Sequence, residues 1–92
     1  MLFRSAEWGM IWRVIEDDAW EAGVDAVVRP LSIAPTRALA MAKRAIRQAH
    51  FTPLEAQLDL ERDSQQACGW SDDYREGVMA FKERRPPRFR GK

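Results

Sequence analysis

Apolar residues recur at helical spacing over most of this chain. Trp20, Val24, Val27, Leu31 and Ala34 fall at i, i+4, i+7, i+11 and i+14, one stripe of an amphipathic helix. Pro30 interrupts that run and removes a backbone donor, so a kink or an early end is expected near Arg29. Pro35-Thr36 restarts a helix with Leu39, Ala42, Ile46 and Ala49 on its apolar face and Arg37, Lys43, Arg44 and Arg47 elsewhere. Thr52-Pro53-Leu54-Glu55 is a start signal, with Thr52 as N-cap, Pro53 at the first position and Glu55 closing a capping box. That helix is expected to reach Gly69. Ser71 then caps a last helix through Asp72, Tyr74, Val78 and Phe81, with Gly77 a weak point inside it and Pro86-Pro87 its end. The tail from Arg88 to Lys92 is expected to be extended.

The amino-terminal stretch has a different pattern. Trp8-Gly9 reads as a helix ending, because Gly9 can take the left-handed conformation that satisfies the last carbonyls. The helix before it is expected to be almost absent. Met10-Ile11-Trp12-Arg13-Val14-Ile15 is rich in β-branched and aromatic residues and has the length of a strand. A single strand has nothing to pair with, and no second one is evident. Asp18 and Glu21 form a capping-box pattern at the start of the first amphipathic stripe. The expected fold is therefore mainly α: one short strand followed by about four helices.

Composition narrows the function classes. The chain has 92 residues, enough for one small domain; a chain this short buries only about 60–65% of its unfolded surface. Hydrophobic residues at 46% and charged residues at 32% argue for a folded chain, and a net charge of +1 gives no global field toward nucleic acid. The single cysteine, Cys68, rules out an internal disulfide or a thiolate cluster, and the single histidine, His50, has no spacing that suggests a zinc site or a catalytic triad. His50 follows a basic helix and is read as a cap. No apolar run is long enough to span a bilayer, and the start is too short for a signal peptide, so a cytoplasmic chain without metal or cofactor is expected. Helix amino-terminal placement accounts for Glu55, Asp72 and Asp73, and exposed helix faces account for Asp59, Glu61, Asp63 and Glu76. None is assigned a catalytic role. Trp8, Trp12, Trp20 and Trp70 are read as core or subunit-seam anchors.

Several motifs resemble the end of a crotonase (enoyl-CoA hydratase/isomerase) chain. Asp73-Tyr74-Arg75-Glu76-Gly77-Val78-Met79-Ala80-Phe81, followed by Arg84-Arg85-Pro86-Pro87-Arg88-Phe89-Arg90-Gly91, resembles the superfamily ending of D-x-x-E-G-x-x-A-F, a basic pair, Pro, Phe and Gly. Glu61 and Gln65 match E-x-x-x-Q, and Pro35-Thr36-x-Ala38-Leu39 with Lys43 matches P-T-x-A-L…K. Trp8-Gly9-Met10-Ile11-Trp12, with Leu58-Asp59-Leu60-Glu61-Arg62-Asp63, is similar to the ring-epoxide isomerases of phenylacetate breakdown. The resemblance covers residues 6 to 92. It divides the chain into a leader outside the family pattern (1–5), the end of the spiral core (6–15), a helical oligomerisation region (16–85) and a basic tail (86–92).

That resemblance implies a function for a longer protein. A repeated ββα spiral upstream would supply two backbone amides for the thioester oxyanion, worth ~3–4 kcal/mol per donor, and the carboxylate of the ring isomerases. No residue here corresponds to them, so no catalytic residue is assigned. The part present would cover an acyl pocket and pack between subunits of a trimer or a dimer of trimers. The implied partner is an acyl-CoA substrate, with Lys82, Arg84 and Arg85 near the CoA phosphates and Phe89 near the adenine or a subunit seam. From Lys82 to Lys92 six basic residues stand against one acid, Glu83, which also permits a solvated tail or nucleic-acid contact. An enoyl-CoA hydratase, a free-standing helical interaction module and a small nucleic-acid binder are the rival readings.

Overall fold

The computed structural model describes residues 2–92. The chain forms two compact units, one up to Pro30 and one from Leu31 to Lys92.

In the first unit a helix, α1, spans Leu2–Glu7. It closes where Gly9 takes a φ of 73°, with the Met10 N–H donating back to the Ser5 carbonyl at 2.9 Å. The helix expected to be almost absent therefore exists and has six residues. Met10–Ile15 does not form the expected strand, and no strand occurs among the described residues. A strand is completed only by a neighbour that takes its alternating N–H and C=O groups, and the unit offers none. The segment instead bends and runs extended. Trp12 is 77% exposed, with the Arg13 guanidinium 5.5 Å from its ring centre. Ile15 lies on α2, where a Cβ at Gly23 would come within 2.7 Å of its Cγ2.

A 3₁₀ turn, Asp17–Ala19, leads into α2, Trp20–Ser32. Asp18 sits inside that turn, so the expected capping box does not start the helix. Pro30 does not end α2 near Arg29, because its missing N–H costs a single bond near the last turn, on an exposed stretch where water can serve the freed carbonyl.

The second unit is built from α3 (Thr36–Ala49), α4 (Leu54–Gly69) and α5 (Asp72–Glu83). Cys68 donates to Met41 Sδ at 3.4 Å and Gln57 Nε2 donates to the Ala45 carbonyl at 3.0 Å, so α3 and α4 run antiparallel. Gln57 Nε2 also reaches Glu61 Oε1 at 3.1 Å, which fixes the amide between the two helices. The α3 face turned to α4 carries Ala38, Met41 and Ala45, whereas the expected apolar stripe of Leu39, Ala42, Ile46 and Ala49 is mostly left open. Small Ala38 and Ala45 allow the close approach, and Ile46 remains 69% exposed.

Turn chemistry departs from expectation between α3 and α4. Pro53 precedes the first helical residue, Leu54, and Thr52 Oγ1 donates backward to the Gln48 carbonyl at 2.8 Å. Thr52 thus helps tie off the end of α3, where His50 stands at the C-cap position as expected. The α4–α5 turn follows the sequence reading. Ser71 Oγ accepts from the Tyr74 N–H at 3.1 Å and donates to the Cys68 carbonyl at 2.5 Å, joining two helix ends with one hydroxyl. α5 ends at Glu83, before the prolines, because Arg84 takes the left-handed conformation (φ 53°) and the Arg85 N–H reaches the Ala80 carbonyl at 3.0 Å.

Ser71 is buried and serves both helices, so Ser71→Ala is expected to lower stability by ~1 kcal/mol in a urea melt. Gly77→Ala should have the opposite sign. Its new methyl would meet Phe89 at an ordinary 3.6 Å, so the gain is the helix propensity of ~0.5–1 kcal/mol in the same melt.

Candidate functional site

Beyond α5 the chain reverses and lies along the helix it has just left. Asp73 and Glu76 are three residues apart and share one face of α5. Asp73 Oδ1 accepts from the Arg90 N–H at 2.7 Å and Oδ2 from the Gly91 N–H at 2.8 Å. The Asp73 N–H donates to the Lys92 carbonyl at 3.0 Å. Glu76 Oε1 accepts from the Arg88 N–H at 2.9 Å, and the carboxylate takes a two-pronged contact from Arg85 at 2.6 and 3.1 Å. Arg85 Nε also donates to Glu83 Oε2 at 2.5 Å. The tail is extended, as expected, and is anchored through its own backbone.

Two further contacts set its path. Gly91 has a φ of 74°, and a Cβ there would come within 2.6 Å of Thr36 Oγ1, so the tail passes against the start of α3. Phe89 rests over Gly77, its ring edge 3.6 Å from where a Cβ would stand. The ring lines an apolar groove of about 530 Å³ together with Pro35, Ala38, Val78, Phe81 and Lys82. A second cleft of about 650 Å³ carries Asp72, Arg75, Met79, Arg88 and Arg90 beside the two anchoring carboxylates.

The structure separates the four candidate ligand residues. Lys82 and Phe89 meet on the apolar groove. Arg84 is exposed at the helix end, and Arg85 is held by Glu76 and Glu83. Glu76, read from the sequence as standing on an exposed helix face, pairs with Arg85. Asp73 serves the tail amides in addition to standing in the first turn of α5. All four tryptophans are exposed, so within this chain none is a core anchor. Sequence reading missed the joint role of Asp73 and Glu76, although acids three apart before a basic, glycine-containing tail were visible. Among the described residues no three His, Cys, Asp or Glu side chains are grouped to hold a metal ion, and no helix is long and apolar enough to cross a membrane.

Electrostatics bind the tail most firmly at Glu76. Hydrogen bonds from the Arg85 side chain, then from the Arg88 N–H, pull its carboxyl from the ordinary 4.5 down to about 2. The bonds from Arg85 to Glu76, and then to Glu83, raise its guanidinium above its already high value.

Residues 4–92 match the family described as enoyl-CoA hydratase/isomerase. The chain is 48% identical to 1,2-epoxyphenylacetyl-CoA isomerase of Escherichia coli K12 over 86 residues, covering 94% of this chain and 33% of that protein. It is 41% identical to a probable enoyl-CoA hydratase of Rhodobacter capsulatus over 88 residues, covering 96% and 34%. The fold is similar to the crystal structure of an enoyl-CoA hydratase from Geobacillus kaustophilus HTA426, with a TM-score of 0.88, 28% identity, and coverage of 97% of this chain and 34% of that one. The chain spans about a third of the length of these relatives.

The depressed Glu76 fixes the sign of a pH dependence. A carboxylate whose folded value lies below its unfolded one adds stability that is complete above about 4.5 and lost as pH falls toward about 2. Hydrogen-exchange protection of the Arg88 amide, measured across that range, should fall with acid in the parent chain, and the Glu76-dependent part of that fall should vanish in Glu76→Gln.

Proposed function

Because this chain belongs to the enoyl-CoA hydratase/isomerase family, we propose that it is the carboxy-terminal third of an acyl-CoA isomerase that converts ring-1,2-epoxyphenylacetyl-CoA to oxepin-CoA. The observation that carries this reading is the 48% identity, across nearly the whole chain, to an isomerase of that name. The Trp8-Gly9-Met10-Ile11-Trp12 run supports the same subgroup.

In this reading the reacting thioester is held upstream of the present residues, and the chain on its own is inactive. Its contribution is to cover and to grip. Phe51 is 89% and Phe81 86% exposed, surfaces that a larger protein would have reason to cover, and trimeric packing of the whole enzyme fits them. Lys82 and Arg84 approach the CoA phosphates, Phe89 sits beside the nucleotide or a subunit seam, and Arg85 acts at one remove by setting the tail. The 41% identity to a probable enoyl-CoA hydratase favours a second reading, in which the whole protein adds water across a 2,3 double bond.

Chimeras separate the two. Replacing the matching third of the Escherichia coli isomerase with this chain is expected to keep turnover of the epoxide within ~10-fold, whereas the same graft on an enoyl-CoA hydratase is expected to lose more. The reverse ranking would favour the hydratase. In the active chimera, Lys82→Ala with Arg84→Ala should raise KM for the acyl-CoA ~10-fold with kcat little changed.

A further inference from the structure

We infer that the outer face of α3 is a docking surface for a second copy of this chain: its basic side chains receive the acidic start of α2, Glu16 to Glu21, from the other copy.

The chain sorts its charge into blocks. From Val14 to Val28 every charged side chain is an acid, namely Glu16, Asp17, Asp18, Glu21 and Asp25. From Ala26 to Leu54 there is no acid at all, while Arg29, Arg37, Lys43, Arg44 and Arg47 are basic. The net charge of +1 therefore conceals two surfaces of opposite sign.

Both blocks face outward. Ala38, Met41 and Ala45 turn α3 toward α4, and helical spacing puts Arg37, Lys43, Arg44 and Arg47 on the remaining, exposed side. Glu16, Asp17, Asp18 and Glu21 are exposed at the 3₁₀ turn and the first turn of α2. Asp25 is taken by Arg29 at 3.1 Å, but among the described residues none of these other acids, and none of the four α3 bases, is in an ion pair. The acids of α4 suit the role less well, because Arg62 holds Asp59 and Asp63, and Gln57 holds Glu61.

Apolar side chains border both blocks. Trp20, 58% exposed, adjoins Glu21, and Leu39 and Ile46 stand one helical turn from Lys43. Exposed ion pairs are individually weak, so the charges select the partner and register while burial of Trp20, Leu39 and Ile46 supplies affinity. Two α3 faces repel one another, whereas the sign that α3 requires is carried by the same sequence. A second copy therefore suffices as partner. The inference concerns this chain's own surfaces and does not depend on which acyl-CoA the whole protein uses.

Sedimentation velocity on the 92-residue chain tests it, with circular dichroism to follow helix content. The parent should sediment as a dimer or larger in ~0.05 M salt and as a monomer in ~0.5 M, where the Debye length is only ~4 Å. Lys43→Glu with Arg47→Glu, and separately Asp17→Lys with Glu21→Lys, should each weaken association at least tenfold in low salt with helix content retained, since all four positions are exposed. Mixing the two variants should restore association, because each then meets the sign it lost. A parent that stays monomeric in low salt overturns the proposal. So does association that salt or the charge reversals leave unchanged, or a mixture of the two variants that stays apart.

Discussion

The last seven residues have no secondary structure of their own, and their position is decided by two carboxylates one helical turn apart on α5. Asp73 accepts two consecutive backbone N–H groups, and Glu76 accepts a third together with a guanidinium. A carboxylate that accepts several donors is a far better anchor than an isolated surface ion pair, because each bond is charge-assisted and the geometry is fixed. From this anchor follow the course of the tail past Thr36, the position of Phe89 and the restraint on Arg85. The basic tail is consequently not a free cationic arm. Its backbone is committed to α5, while the side chains of Arg88, Arg90 and Lys92 stay exposed.

The packing of the three helices obeys a similar economy. Ala80 is the sole buried apolar side chain among the described residues, while Gln57, Ser71 and Asp73 are buried polar ones, each tied to helix ends or backbone. Helices held by polar ties at their ends and by small residues between them leave their large apolar side chains facing out. Ile46, Phe51, Leu54 and Phe81 are in that position. Membership of a family whose compared members are about three times as long gives those surfaces a physical context.

Much of the architecture was legible in the residues. Helix periodicity and the Pro35, Pro53 and Ser71 signals located α3, α4 and α5, and Gly9 marked the end of α1 correctly. The errors have specific causes. Met10–Ile15 has strand composition, but strand formation requires a partner that composition cannot supply. Thr52 had the local pattern of an N-cap, yet its hydroxyl found the end of the preceding helix closer to hand. Pro30 was expected to kink α2 or end it near Arg29, and its place in the last turn lets the helix run on to Ser32.

The sequence by itself determined where α2 to α5 lie, that Ser71 caps α5, and to which family the motifs point. These are properties of neighbours along the chain, and local backbone chemistry is enough to express them. Only the tertiary structure decided which α3 face meets α4, which acid takes Arg85, and that Asp73 and Glu76 together hold a strap carrying Phe89. Those choices depend on distances between residues far apart in the chain, and several donors of the same kind compete for each acceptor. Six basic side chains stand between Lys82 and Lys92; the reversal at Arg84 placed one of them, Arg85, on Glu76 and Glu83.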